Sequence, residues 1–117
     1  MNEGTVRLEI QGPLATVTFD RPQERNAMTW AMYGQLGVIC EQLRHDPSVR
    51  AVILRGSGGK AFVAGTDIAQ FLEFRDGDAG VDYERKIDLC MAMLEALPMP
   101  TIALIEGWAV GGGVAIA

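Results

Sequence analysis

Two segments of the chain pair glycines with the start of a helix: Lys60-Ala61-Phe62-Val63-Ala64-Gly65-Thr66-Asp67-Ile68 and Gly107-Trp108-Ala109-Val110-Gly111-Gly112-Gly113. Each follows an apolar run of strand character, and each leads into a helical pattern. Unpaired N–H groups at a helix start attract negative charge. Glycine has no Cβ, so a ligand can come close to the backbone there. If the runs 51–54 and 101–105 are parallel neighbours, both loops lie at the carboxyl edge of one sheet, where open α/β sheets bind ligands. One N–H from each loop could then converge on a single oxygen. That is the geometry of an oxyanion hole, which stabilises charge developing on a carbonyl. The other reading of Gly111-Gly112-Gly113 is that it only lets a helix pack closely on the sheet.

Other phosphate motifs fail. Gly59-Lys60 is followed by Ala61, and the earlier P-loop glycine is misplaced, so this is no Walker A loop. Neither loop reads G-x-G-x-x-G in a strand-to-helix context. Asp67 can contact a ligand or serve as a helix N-cap. Glu106 is a site carboxylate or a solvated strand end, and Lys60 is a phosphate partner or a solvated loop lysine. His45 falls in the last turn of a helix, where a cation suits the dipole, and has no identifiable catalytic partner. Trp30 and Trp108 read as packing residues. Cys40 and Cys90 sit in apolar helical patterns and read as reduced core residues, with neither a disulfide framework nor a zinc site implied. No metal is expected.

The elements that must hold these loops can be read from the pattern. Val6 to Ile10 alternates apolar and polar residues, Gln11-Gly12-Pro13 turns the chain, and Leu14 to Phe19 alternates again. These make a hairpin with Ala15, Val17 and Phe19 on one face. Asp20-Arg21-Pro22 breaks it. Thr29 caps a helix reaching Arg44, with Met32, Leu36, Ile39, Cys40 and Leu43 as its apolar stripe, and Asp46-Pro47 ends it. Ala51–Leu54 and Thr101–Ile105 read as strands buried in the sheet, with Gly56-Ser57-Gly58-Gly59 as the loop after the first. A short helix from Asp67 through Phe71 and Phe74 precedes a polar break at Asp76-Gly77-Asp78-Ala79-Gly80. A longer helix then runs from Val81 to Leu97, with Ile87, Cys90, Met91, Leu94 and Leu97 inward, until Pro98-Met99-Pro100 stops it. Gly113 to Ala117 opens an apolar helix that carries no cap or stop signal. Strands alternating with helices predict an α/β fold with parallel pairing in the later half.

Bulk properties agree with one domain or part of one. The 117 residues are 49% hydrophobic and 21% charged, with a net charge of −5. Ten basic residues against fifteen acidic ones argue against a nucleic-acid backbone binder, though not against a small anionic ligand. No apolar run approaches the roughly 18 residues of a membrane span. Met1 to Glu9 carries Glu3, Arg7 and Glu9 and lacks an apolar h-region, so neither membrane insertion nor secretion is expected, and the cytoplasm is the default compartment.

The motifs also resemble a known family. Ala15-Thr16-Val17-Thr18-Phe19-Asp20-Arg21-Pro22 followed by Arg25-Asn26-Ala27-Met28 is similar to the opening strand and R-N-A-[LM] motif of crotonases, the enoyl-CoA hydratase/isomerase family. Ala61 to Ile68 resembles their A-F-x-A-G-x-D-[IL] loop. Pro98 to Ala103 with Gly107 to Gly113 resembles their P-x-P-[TV]-I-A…G-x-A-x-G-G-G stretch. These motifs occur in the family's order across essentially the whole chain.

The resemblance implies a ClpP/crotonase-like α/β spiral of β-β-α units, of which residues 1–117 would be an incomplete N-terminal portion ending within the helix after Gly113. It implies an acyl-CoA thioester as substrate, with coenzyme A as part of that substrate and no separate cofactor. It gives the oxyanion-hole donors as the N–H groups of Thr66 and Gly112. Substrate contacts carry over to Arg25, Ala27, Ala64, Thr66, Asp67, Ile68 and Gly112, with Arg25 facing the CoA phosphates. A homotrimer or dimer of trimers is implied for the full-length protein. Family hydratases carry a glutamate two residues after the third glycine, where this chain has Ala115. Hydration ordinarily shares acid and base work between two carboxylates. Isomerase-like chemistry with one later acid/base, acyl-CoA binding without turnover, and a scaffold role are therefore the competing readings, with the 117-residue chain alone expected to be inactive.

Overall fold

A two-residue turn at Gly12-Pro13 joins β1 (Thr5–Gln11) to β2 (Leu14–Asp20) as an antiparallel hairpin in which Gln11 faces Leu14 and Thr5 faces Asp20. Gly12 takes φ 59°, a conformation that glycine adopts at little cost. The computed structural model describes residues 4–59, 61–63, 77–105, 107–109 and 116. Ala15, Val17 and Phe19 are the inward face of β2, all 1% exposed or less, as the alternation predicts.

Helix α1 (Trp30–Arg44) starts where expected, because the Thr29 hydroxyl accepts the Met32 N–H at 3.2 Å. Its stripe of Met32, Leu36, Ile39, Cys40 and Leu43 is buried, and Tyr33 joins it. The helix carries the chain back across the sheet, so that β3 (Ala51–Gly56) pairs with β2 in parallel. Helix α2 (Gly77–Glu95) packs against α1. It returns the chain to β5 (Thr101–Leu104), parallel to β3 with Val52 opposite Thr101 and Arg55 opposite Leu104. The sheet order is β1-β2-β3-β5. A separate pair is formed by β4 (Ala61–Val63) and β6 (Trp108–Ala109). Cys90 and Leu94 of α2 reach the core, with Ile87, Met91 and Leu97 partly buried against it. Ile116 is helical and buried.

Three expectations are corrected. The stretch from Gly77 to Gly80 is helical, so α2 begins four residues earlier than the polar break implied and ends at Glu95. Each glycine disfavours helix by about 1 kcal/mol, but extending an existing helix adds one hydrogen bond per residue and overrides that weak preference. β3 is not buried on both faces: Val52 and Leu54 are buried, Ile53 is half-buried and Arg55 is exposed. β5 is largely exposed, with Ile102 54% and Leu104 45% accessible, because it is an edge strand among the described residues. An apolar run records burial potential; it does not record whether a strand lies at the centre of a sheet. The short helix expected from Asp67 lies outside the described residues. Among the described residues no helix is long and apolar enough to cross a membrane.

Candidate active site

The chain leaves β2 through a tight reversal. Pro22–Glu24 forms one 3-10 turn, and Arg25 and Asn26 then take φ 51° and 59° in succession. Non-glycine residues rarely adopt this left-handed region, and asparagine does so more readily than most. The reversal turns Asn26 inward, where it is 0% exposed, and leaves Arg25 on the surface. Ala27 is half-buried, and its carbonyl accepts Nη1 of Arg21 at 3.4 Å.

Asn26 joins three separate segments. Its Oδ1 accepts the Arg21 N–H at 2.8 Å, and its Nδ2 donates to the carbonyls of Ser57 at 3.0 Å and Ala61 at 2.9 Å. The carboxyl ends of β2 and β3 are thereby tied to the first residue of β4. Ser57 N–H reinforces the junction by donating to the Phe19 carbonyl at 2.8 Å. Gly56 makes the close approach possible. A Cβ there would overlap the carbonyl oxygens of Ala61 and Phe62 and sit 2.7 Å from Asn26 Nδ2. A small cleft of about 280 Å³ opens beside this junction, lined by Pro22, Gln23, Arg25, Asn26, Ser57 and Ala61 among others. Arg25 contributes the cation on its wall.

β4 is fully buried although it has only three residues. Phe62 meets Phe19 edge-to-face with ring centroids 5.8 Å apart, which locks β4 over the end of β2. On its other side β4 pairs in parallel with β6, Ala61 opposite Trp108 and Val63 opposite Ala109. The condition set by the sequence, parallel pairing of the runs 51–54 and 101–105, is therefore met. β3 and β5 are parallel neighbours, and the segments that continue from them are parallel neighbours again.

Of the expected site residues, Arg25 and Ala27 stand at the junction next to β4. Ala64, Thr66, Asp67, Ile68 and Gly112 lie outside the described residues, as do Lys60 and Glu106. Asn26 was passed over in the sequence, where it is one letter of a motif. The available signal was an asparagine in a turn after Pro22, but two of its three partners are 31 and 35 residues away.

The remaining candidates have structural surroundings. His45 Nε2 lies 3.0 Å from Glu41 Oε1, which Arg44 also approaches at 3.2 Å, at the exposed end of α1. Hydrogen bonds from Arg44 and then His45 hold the Glu41 carboxyl below its ordinary range. Trp30 is half-buried and does more than pack, since the Lys86 ammonium stands 4.6 Å from its ring centroid. Cys40 and Cys90 are free and buried. Burial pushes the Cys40 thiol up to about 11; burial and then the Cys40 charge push Cys90 up to about 12. Such thiols are inert core residues, not nucleophiles. Among the described residues no cluster of three or more His, Cys, Asp or Glu is placed to hold a metal.

Comparison with known proteins agrees with this arrangement. The sequence pattern of the family described as enoyl-CoA hydratase/isomerase matches residues 14–117. The chain is 36% identical over 117 residues to the short-chain-enoyl-CoA hydratase of Clostridium acetobutylicum, covering 100% of this chain and 44% of that protein. It is 35% identical over 115 residues to the hydroxycinnamoyl-CoA hydratase-lyase of Pseudomonas fluorescens, covering 93% and 41%. The crystal structure of an enoyl-CoA hydratase/carnithine racemase from Magnetospirillum magneticum superposes with a TM-score of 0.92 at 36% identity, over 100% of this chain and 43% of that one. The fold class is thus the crotonase-type α/β fold of solved enoyl-CoA hydratases. The chain spans less than half the length of the curated relatives it matches.

Proposed function

Because this chain belongs to the enoyl-CoA hydratase/isomerase family, we propose that the whole protein binds an acyl-CoA thioester and stabilises its enolate with the backbone N–H groups of Thr66 and Gly112. The observation that carries this reading is the register of β4 and β6. Val63 faces Ala109 in a parallel pair, and Thr66 and Gly112 each come three positions later. Three residues span at most roughly 11 Å, so this register leaves both amides within reach of one thioester oxygen.

Removing a proton next to a thioester carbonyl moves negative charge onto its oxygen. Two fixed N–H donors hold that charge more strongly than they hold the neutral carbonyl, which lowers the barrier without tightening the ground state. Ala64, Asp67 and Ile68 line the CoA path in this reading, and Arg25 and Ala27 border its entrance. The Arg25 guanidinium meets the anionic phosphates at the 280 Å³ cleft. Relatives named for enoyl-CoA and hydroxycinnamoyl-CoA support a CoA thioester as the substrate class. Assembly as a trimer or dimer of trimers goes with the same reading and is checked by sedimentation. Ala115 favours a second reading, acyl-CoA binding without turnover, because it offers no carboxylate where family hydratases have one.

The test is Gly112→Pro in the whole protein, which deletes one donor N–H. Turnover of the best acyl-CoA should fall about 10²–10³-fold in the folded variant. Unchanged kinetics would refute the role. Tight binding of acyl-CoAs with no turnover of any of them by the unaltered protein would establish the second reading.

A further inference from the structure

We propose that Asn26 is a positioning residue whose buried carboxamide sets β4, the strand three positions ahead of the first oxyanion donor. This inference rests on the oxyanion-hole reading above. β4 is three residues long, too short for its own ladder to fix it, and it is followed directly by Ala64-Gly65-Thr66. Its placement comes from β6 on one side, from Phe62 packed on Phe19, and from Asn26 at its first residue.

The side-chain chemistry is specific. A carboxamide presents one acceptor and two donors in a plane. Here the acceptor takes the Arg21 N–H, while Nδ2 serves the Ser57 and Ala61 carbonyls. Two carbonyl partners on one side and an N–H on the other define which atom is nitrogen. Aspartate has the same shape but would aim an anionic oxygen at two carbonyl oxygens. The backbone demand is equally narrow, because φ is 59° at this residue. Gly56 removes the one Cβ that would push β4 away from the amide. The same reversal places Arg25 on the cleft wall, so one turn holds both the cation and the strand.

Asn26 touches no reacting atom in this account, so the test needs a signal that simple destabilisation leaves unmoved. Acetoacetyl-CoA enolises readily, and its ultraviolet absorbance reports the enolate-to-keto ratio on the protein. Free CoA has no thioester carbonyl and reports the rest of the site. Asn26→Gly in the whole protein keeps the backbone conformation and removes the amide; Asn26→Ser keeps one hydroxyl and serves where the glycine variant does not fold. The unaltered protein should raise the enolate ratio above its value in solution. The folded variant should lower the bound ratio about 10–100-fold, as expected of a displaced donor, a larger change than any in its free-CoA affinity. A folded variant with lower melting temperature but an unaltered enolate ratio would overturn the positioning role and leave the oxyanion-hole reading standing. No enolate enrichment by the unaltered protein would sink that reading and this inference together.

Discussion

Val63 and Ala109 face each other across a pair of strands that run in the same direction. The proposed oxyanion hole depends on that pairing, and the pairing depends on how firmly β4 is held.

Phe62 contributes to that hold through the core. It is 0% exposed and set edge-on to Phe19. Phe62→Ala should destabilise the protein by about 3–5 kcal/mol, measured by urea unfolding. Conservative Phe62→Leu should cost less, because it leaves a smaller void.

The glycines differ in sign. Gly56→Ala forces a Cβ into the Ala61 and Phe62 carbonyls and should cost at least about 2 kcal/mol. Gly34 sits within α1 with nothing within 4 Å of its Cβ position, so Gly34→Ala should stabilise by about 0.5–1 kcal/mol. Paired thermal melts of the two variants check the contrast. Equal effects would show that local crowding at Gly56 does not matter.

Arg25 is tested without disturbing its backbone by Arg25→Asn, since asparagine tolerates φ near 51°. Affinity for an acyl-CoA should drop about 10-fold, the effect of losing a charge-assisted contact of about 1.5 kcal/mol. The loss should shrink for an acyl-pantetheine that lacks the phosphates, by titration calorimetry. An equal loss for both ligands would remove Arg25 from the phosphate site.

The buried thiols predict an alkaline limit. Both folded-state values are raised from 9.0, to about 11 for Cys40 and about 12 for Cys90. The folded state therefore holds its thiol protons longer than the unfolded chain. That stability is complete below pH 9 and is lost as pH rises through the folded values. Unfolding free energy should fall between pH 9 and 11, at most about 1.4 kcal/mol per pH unit for each thiol, and Cys90→Ala should flatten the slope. A flat profile over that range in the unaltered protein would contradict the assignment.

What the sequence determined was local. The Thr29 cap and the stripe from Met32 to Leu43 recur at helical spacing, and α1 forms where that spacing places it. The hairpin around Gly12-Pro13 follows from alternation and one turn. The glycine loops were legible as loops, and the parallel pairing of β3 with β5 was legible only as a condition. Tertiary structure decided the rest. It exposed Ile102 and Leu104 on an edge strand that their apolar run had marked as core. It also made Asn26 the junction of β2, β3 and β4. Spacing along a chain encodes which face a residue presents. Which strand lies beside which, and which distant carbonyl a buried amide must satisfy, is settled only when the segments pack.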